Sequence, residues 1–231
     1  MTYEDAIRVI TRKKNAKNLE GMRRFGINTD NAYGSLSLPE IRKLGKQIGI
    51  DHGAAIRLWS SGIHEARILA SVVDDPKEVT ADQMDRWASD FDSWDVCDQC
   101  CSNLFDKVSC AYEKAVEWSG EDREFVKRAG YVMMAALSVH DKAAGDDAFI
   151  SFLPIIEEGA TDERNFVKKA VNWALRQIGK RNMRLNALAI KSAKEIGEMD
   201  SASARWIASD ALRELRGAAA RKRASRGRTI K

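Results

Sequence analysis

Arg123-Glu124-Phe125-Val126-Lys127-Arg128-Ala129 returns 41 residues later as Arg164-Asn165-Phe166-Val167-Lys168-Lys169-Ala170, and this recurrence decides the fold. Weaker echoes stand at Glu65-Ala66-Arg67-Ile68-Leu69-Ala70 and at Ala204-Arg205-Trp206-Ile207-Ala208. A helical-hairpin repeat of about 40 residues points to a HEAT-like array, in which stacked pairs bury one continuous core. The helix carrying the repeated basic positions would be the inner one and would give the array a curved, concave face. Surface lysines taken alone signify only solubility.

The rest of the chain agrees with that reading. Its 231 residues suffice for one large domain or two small ones. Hydrophobic residues make up 44% and charged ones 31%, which excludes wholesale disorder. Prolines are confined to Pro39, Pro76 and Pro154, and Ala, Leu, Ile, Glu, Lys and Arg abound, so an all-helical protein is expected. The net charge of +4 predicts little by itself. Its distribution says more: Arg216, Arg221, Lys222, Arg223, Arg226, Arg228 and Lys231 close the chain with no acid among them. That composition predicts a single domain over 1–216 followed by a basic, disordered tail over 217–231. No apolar run approaches the roughly 20 residues that span a bilayer, and the N-terminus lacks a signal-peptide pattern. A cytoplasmic location is the expectation.

Helices are expected at 3–13, 16–25, 38–47, 51–60, 63–73, 80–89 and 92–108. Further ones are expected at 110–118, 122–138, 146–157, 162–179, 183–197 and 201–216. Ser37-Leu38-Pro39-Glu40 supplies an N-cap, an early proline and an acid in the first turn. Asp74-Asp75-Pro76 and Thr80-Ala81-Asp82 mark breaks, and short connections make neighbouring helices antiparallel. Cys97, Cys100, Cys101 and Cys110 crowd into one segment where disulfide geometry is unfavourable. No second ligand pair accompanies Cys97 and Cys100, so buried thiols are expected and no metal.

Phe91-Asp92-Ser93-Trp94-Asp95-Val96-Cys97-Asp98 is the segment that carries chemistry. On a helix, Trp94 and Asp98 share one face, an indole beside a carboxylate. Such a pair suits a developing sugar cation during glycosidic bond cleavage. On spacing alone the pair more often describes a core tryptophan and a solvated aspartate.

With Arg128 and Trp173 the pair makes a set of two indoles, a carboxylate and a guanidinium drawn from three successive repeats. At these residues the chain resembles the AlkD-type alkylpurine DNA glycosylases, the HEAT-like repeat DNA alkylation repair proteins. The matching pieces are Ser93 to Asp98, Phe125 to Ala129, and Lys169-Ala170-Val171-Asn172-Trp173-Ala174-Leu175-Arg176. Coverage runs from about residue 16 to 200. The resemblance implies a curved, right-handed array of antiparallel helical hairpins with a concave DNA-binding face. It also implies hydrolytic excision of cationic N3- and N7-alkylated purines, leaving an abasic site.

In that scheme Asp98, Trp94, Trp173 and Arg128 are catalytic. Asp98 would stabilise the oxocarbenium-like sugar and position water, and the two indoles would flank the cation. Arg128 would grip a phosphate at the lesion. No lysine belongs to the set as a Schiff-base nucleophile, so a monofunctional enzyme without cofactor is implied. Members often carry a tyrosine near the first repeat; the nearest candidates here are Phe25 and Tyr33, and Ser93 stands where a second tryptophan can occur.

Lys127, Lys168, Lys169, Arg176, Lys180 and Arg181 fall on or beside the presumed inner helices and could track phosphates together with Arg128. The basic tail would either add non-specific DNA contact or be a solvated end. Trp59, Trp87, Trp118 and Trp206 are expected in the core, and His52, His64 and His140 at ordinary positions. The expected partner is double-stranded DNA containing alkylated purines, bound by a monomer with no membrane association. The alternatives are a non-catalytic HEAT-like binder of bent or branched DNA, and a protein–protein scaffold.

Overall fold

The structure, a computed structural model, describes residues 1–227. Arg228 and Lys231 of the basic tail lie outside the described residues. The chain divides into two compact units, Met1–Ser109 and Cys110–Lys231, where the sequence suggests one domain over 1–216.

The first unit holds α1 (Tyr3–Thr11), α2 (Ala16–Arg24), α3 (Leu38–Ile48), α4 (His52–Ser60), α5 (His64–Val73), α6 (Ala81–Ser89), α7 (Trp94–Asn103) and a 3-10 turn at Phe105–Lys107. Its helix starts are written in side chains. Thr2, Asn15, Asp51 and Thr80 each accept the backbone N–H three residues on, replacing a bond the first turn lacks. At α3 the Ser37 N–H donates to Glu40 at 2.8 Å, closing a capping box behind Pro39. α3, α4 and α7 pack on α5.

The second unit holds α8 (Ala111–Ser119), α9 (Glu124–His140), α10 (Asp146–Ile150), α11 (Phe152–Gly159), α12 (Asn165–Gly179), α13 (Met183–Gly197), α14 (Ala202–Leu215) and α15 (Ala218–Ala224). α9 packs on α8 and α12, and α14 packs on α12 and α13. Gly130 lets α9 close on α8: a Cβ there would stand 2.4 Å from the Ser119 backbone nitrogen.

The repeat is visible in the backbone. The second helix of each hairpin follows an extended residue at Ile63, Ser93, Arg123, Arg164 and Ser201. The copies at 123–129 and 164–170 therefore open α9 and α12 with the same geometry: φ, ψ are −68°, 124° at Arg123 and −64°, 126° at Arg164. Each of those arginines also pairs with an acid two residues earlier, Glu121 and Asp162.

Three expectations about the helices and the tail need correction. The helix expected over 92–108 ends at Asn103, and a 3-10 turn follows. Leu104 and Phe105 are both fully buried; consecutive helical positions diverge by about 100°, so the chain leaves the α path to bury both. The helix expected over 146–157 breaks at Ser151, because Pro154 supplies no N–H and starts a new first turn instead. The tail expected to be disordered from Gly217 forms α15 instead, with Ala220 and Ala224 buried against α13 and α14. Its small residues recur four apart, which gives even a basic helix one apolar face.

Trp59 and Trp87 stack at 4.0 Å between ring centroids in the core of the first unit, and Trp118 is buried in the second. Trp206 departs from expectation: it is 41% exposed, with the Lys168 ammonium 5.4 Å from its ring centroid. Cys97, Cys100 and Cys101 are buried, and burial pushes the Cys100 and Cys101 thiols well above their ordinary value. No helix among the described residues is long and apolar enough to cross a membrane.

Candidate nucleic-acid site

The four residues of the sequence constellation divide between the units: Trp94 and Asp98 in the first, Arg128 and Trp173 in the second. Trp94 is the first residue of α7 and Asp98 lies one turn on, so both project from one face as their spacing predicts. Both are half-buried. The indole is held at its edge: Trp94 Nε1 donates to the Phe25 carbonyl at 2.9 Å. Phe25 itself is 73% exposed at the end of α2, so a wide aromatic face lies beside the site.

The start of α7 is fixed by residues to which the sequence assigns no role. Ser93 Oγ donates to Asp95 at 2.7 Å, the Val96 N–H to the same carboxylate at 3.0 Å, and His64 Nε2 lies 2.9 Å from it. Burial alone would depress the His64 imidazole, but the hydrogen bond and charge of Asp95, with Glu65 and Asp92 beyond, hold it above its ordinary value. Burial would likewise raise Asp95, and the His64 contact outweighs it, so its carboxyl sits below the usual range. His64 is thus a buried partner of Asp95 and not the unassigned histidine expected. The available signal was positional: His64 opens α5 and Ser93-Trp94-Asp95 opens α7, the same point of successive hairpins. His52 has a partner too, the buried Asp74 at 2.6 Å, which also accepts from Gln83 at 2.7 Å.

A buried carboxylate stations the loop before α3. Glu65, 2% exposed, accepts the Tyr33 N–H at 3.1 Å and the Ser35 N–H at 3.3 Å. Tyr33 therefore sits on a fixed loop, with the Lys14 ammonium 5.2 Å from its ring centroid.

In the second unit Arg128 is buried to 5% exposure and donates to the Phe166 carbonyl at 2.5 Å. The bond ties α9 to the second residue of α12, while the Phe125 and Phe166 rings pack 5.5 Å apart. Trp173 is half-buried on α12. With the Gln177 amide oriented to satisfy its neighbours, its oxygen accepts from Trp173 Nε1 at 2.9 Å and from Lys180 Nζ at 3.2 Å.

The expected phosphate contacts differ in how far their charge is committed. Lys127 reaches Asp162 at 3.5 Å. Arg176 pairs with Glu214 and lies 3.4 Å from Asp210; Lys180 pairs with Glu214 at 2.6 Å. Lys168 sits over Trp206, and Lys169 is exposed. Arg181 donates to two carbonyls, those of Ser138 at 3.1 Å and Ala144 at 2.8 Å, with its guanidinium 4.0 Å from the Phe149 ring centroid.

A solved structure similar to this chain is described as "a new family of proteins related to the HEAT-like repeat DNA glycosylases with affinity for branched DNA structures". The TM-score is 0.76 at 17% sequence identity, over 93% of this chain and 96% of that one. The likeness shows the fold, an all-α HEAT-like repeat architecture. An engineered protein solved by the Northeast Structural Genomics Consortium aligns over 87% of this chain and 98% of that one, at 15% identity and a TM-score of 0.39. That score is too low to carry an argument. No curated protein matches the chain in sequence. Residues 6–215 match the family model described as DNA alkylation repair enzyme, and the chain belongs to that family.

Proposed function

We propose that the protein is a monofunctional DNA glycosylase that removes cationic N3- and N7-alkylated purines. The observation that carries this reading is the half-buried Asp98 one helical turn from an indole pinned at its edge by the Phe25 carbonyl. An alkylated purine already carries a positive charge, so the base leaves with the C1′–N bonding electrons and becomes neutral without being protonated. Positive charge then develops on the deoxyribose. A carboxylate screened from bulk water stabilises that charge more strongly than one in solvent. Asp98 also accepts a hydrogen bond from the water that adds to C1′ and takes its proton, leaving the abasic sugar.

In the first unit Trp94 offers the face of its ring to the cation, a contact worth about 0.5–2 kcal/mol. In the second unit Arg128, buried and tied to the Phe166 carbonyl, acts by holding α9 to α12. The set needs no metal or organic cofactor, and the working form is a monomer on alkylated duplex DNA.

A second reading, recognition of branched DNA without excision, is favoured by the description of the structurally similar protein. Base release from methylated duplex DNA separates the two. Liberation of 7-methylguanine or 3-methyladenine supports the glycosylase. Tight binding of junction DNA with no base ever released would replace it with the second reading.

A further inference from the structure

The matched family region ends at residue 215, and α15 lies beyond it. That added helix completes a cleft of about 460 Å³ within the second unit, lined by Lys142, Gln177, Lys180, Arg181, Arg223 and Arg226 together with Ser138 and Gly227. Five of these residues are cationic, and no carboxylate lines the cleft among the described residues. The cations come from three separate segments: the turn after α9, the turn after α12, and the end of α15 with the residues that follow it.

The cleft is built rather than merely crowded. Arg181 is anchored by two carbonyls and the Phe149 ring, contacts that orient its charge without cancelling it. The neighbouring Asp141 is already engaged by the Tyr112 hydroxyl at 3.0 Å and by the Ala143 and Ala144 N–H groups. The segment after α15 seats so closely that a Cβ on Gly227 would fall 1.8 Å from the Arg181 carbonyl oxygen; only glycine permits that approach. Burial, with the charges of Arg181 and Arg223, pushes the Lys142 ammonium below its ordinary value, as like charges gathered around one space must. Lys180 brings its own acid, Glu214, which lies outside the lining. Mutually repelling cations that share a space with no carboxylate in its walls are stabilised by an anion placed among them.

We infer that this cleft binds a backbone phosphodiester of duplex DNA. A linkage with its flanking sugars suits the opening better than a single small anion, and Gln177, which lines it, is the residue that holds the Trp173 indole. A strand seated in the cleft is therefore one helical turn from Trp173. The inference rests on the chain binding DNA and not on base release, so the test uses lesion-free duplex.

DNA affinity of the full chain is measured by fluorescence anisotropy across a salt series, for the unaltered protein, Arg223→Ala/Arg226→Ala and Arg221→Ala/Lys222→Ala. The two double variants remove equal charge from exposed positions, but only the first touches the cleft. The expected result is a log affinity–log salt slope shallower by about 0.9 for each phosphate no longer neutralised in the first, and by less than half as much in the second. Equal changes in both would overturn the inference in favour of a diffuse basic surface, and so would absence of DNA binding by the unaltered chain. Inorganic phosphate titrated at constant ionic strength is the remaining arm. Erasure of the difference between the two doubles by low millimolar phosphate would assign the cleft to the free ion instead; persistence of the difference supports the diester.

Discussion

The two units use one hairpin plan with different lengths and different glue. Thirty residues separate Ile63 from Ser93, whereas 41 separate Arg123 from Arg164 and 37 separate Arg164 from Ser201. The cause lies in the helices. α5 and α7 are 10 residues each and follow 9-residue partners, while α9, α12 and α14 run to 17, 15 and 14. Cross-hairpin bonds follow the same measure: His64 to Asp95 and Trp59 to Asp90 each span 31 residues, Arg128 to Phe166 and Arg176 to Glu214 each span 38.

Their chemistry differs as well. Glu65, Asp74 and Asp95 are the buried or half-buried anchors of the first unit, taking up backbone N–H groups and imidazoles. Arg128 and Arg181 are the corresponding anchors of the second, donating to carbonyls. The division is one of degree, since the second unit also buries Asp146, which accepts from Asn182 at 2.7 Å.

Asp98→Asn probes that division most severely. It should lower base release from methylated duplex by about 10²–10³-fold, the scale lost when one preorganised electrostatic group is removed. Duplex affinity measured by anisotropy should change by less than about twofold. Base release at the unaltered rate would remove Asp98 from the chemistry.

Next in size is a packing difference. Gly130→Ala forces a Cβ against the Ser119 backbone and should cost about 3 kcal/mol in urea unfolding, since backbone on both helices must shift. A cost near zero would show that α8 and α9 can part freely.

The His64–Asp95 pair should show as a pH dependence. The folded His64 value is raised, so its contribution is fully present below about 6.5 and is lost as pH rises through the folded value. Asp95 is lowered, so its share is present above the ordinary aspartate value and is lost only as pH falls through the folded one. His64→Gln should therefore cost more at pH 5.5 than at pH 9 in denaturant titrations. A difference independent of pH would leave only packing to the histidine.

The smallest effect has the opposite sign. Gly21 lies inside α2 with nothing within 4 Å of where a Cβ would stand, so Gly21→Ala should stabilise by about 0.5–1 kcal/mol in the same titrations. The contrast with Gly130 separates a glycine that helix propensity disfavours from one that packing requires.

Much of the fold was legible because its signals are local. The cap at Ser37, the break at Thr80, the proline at Pro39 and the recurrence at 41 residues each act within a turn or between copies of one motif. The first-unit repeat read only as a weak echo because its shorter helices change the spacing, and a fixed offset no longer aligns Glu65 with Phe125. Of the candidate site, the shared face of Trp94 and Asp98 was legible from a spacing of four. The grip of Phe25 on the indole was not, since 69 residues separate the two.

By itself the sequence determined most of the helices, the hairpin plan, the shared helix face of Trp94 and Asp98 and the excess of cations toward the C-terminus. The tertiary structure alone decided that Asp95 and His64 lock α7, that Arg128 spends a donor on the Phe166 carbonyl, and that α15 docks to turn a basic tail into a cleft. The physical reason is one of range. Propensity, capping and periodicity act over a few residues, whereas burial and the pairing of buried charges are set by which distant segments come to share a space.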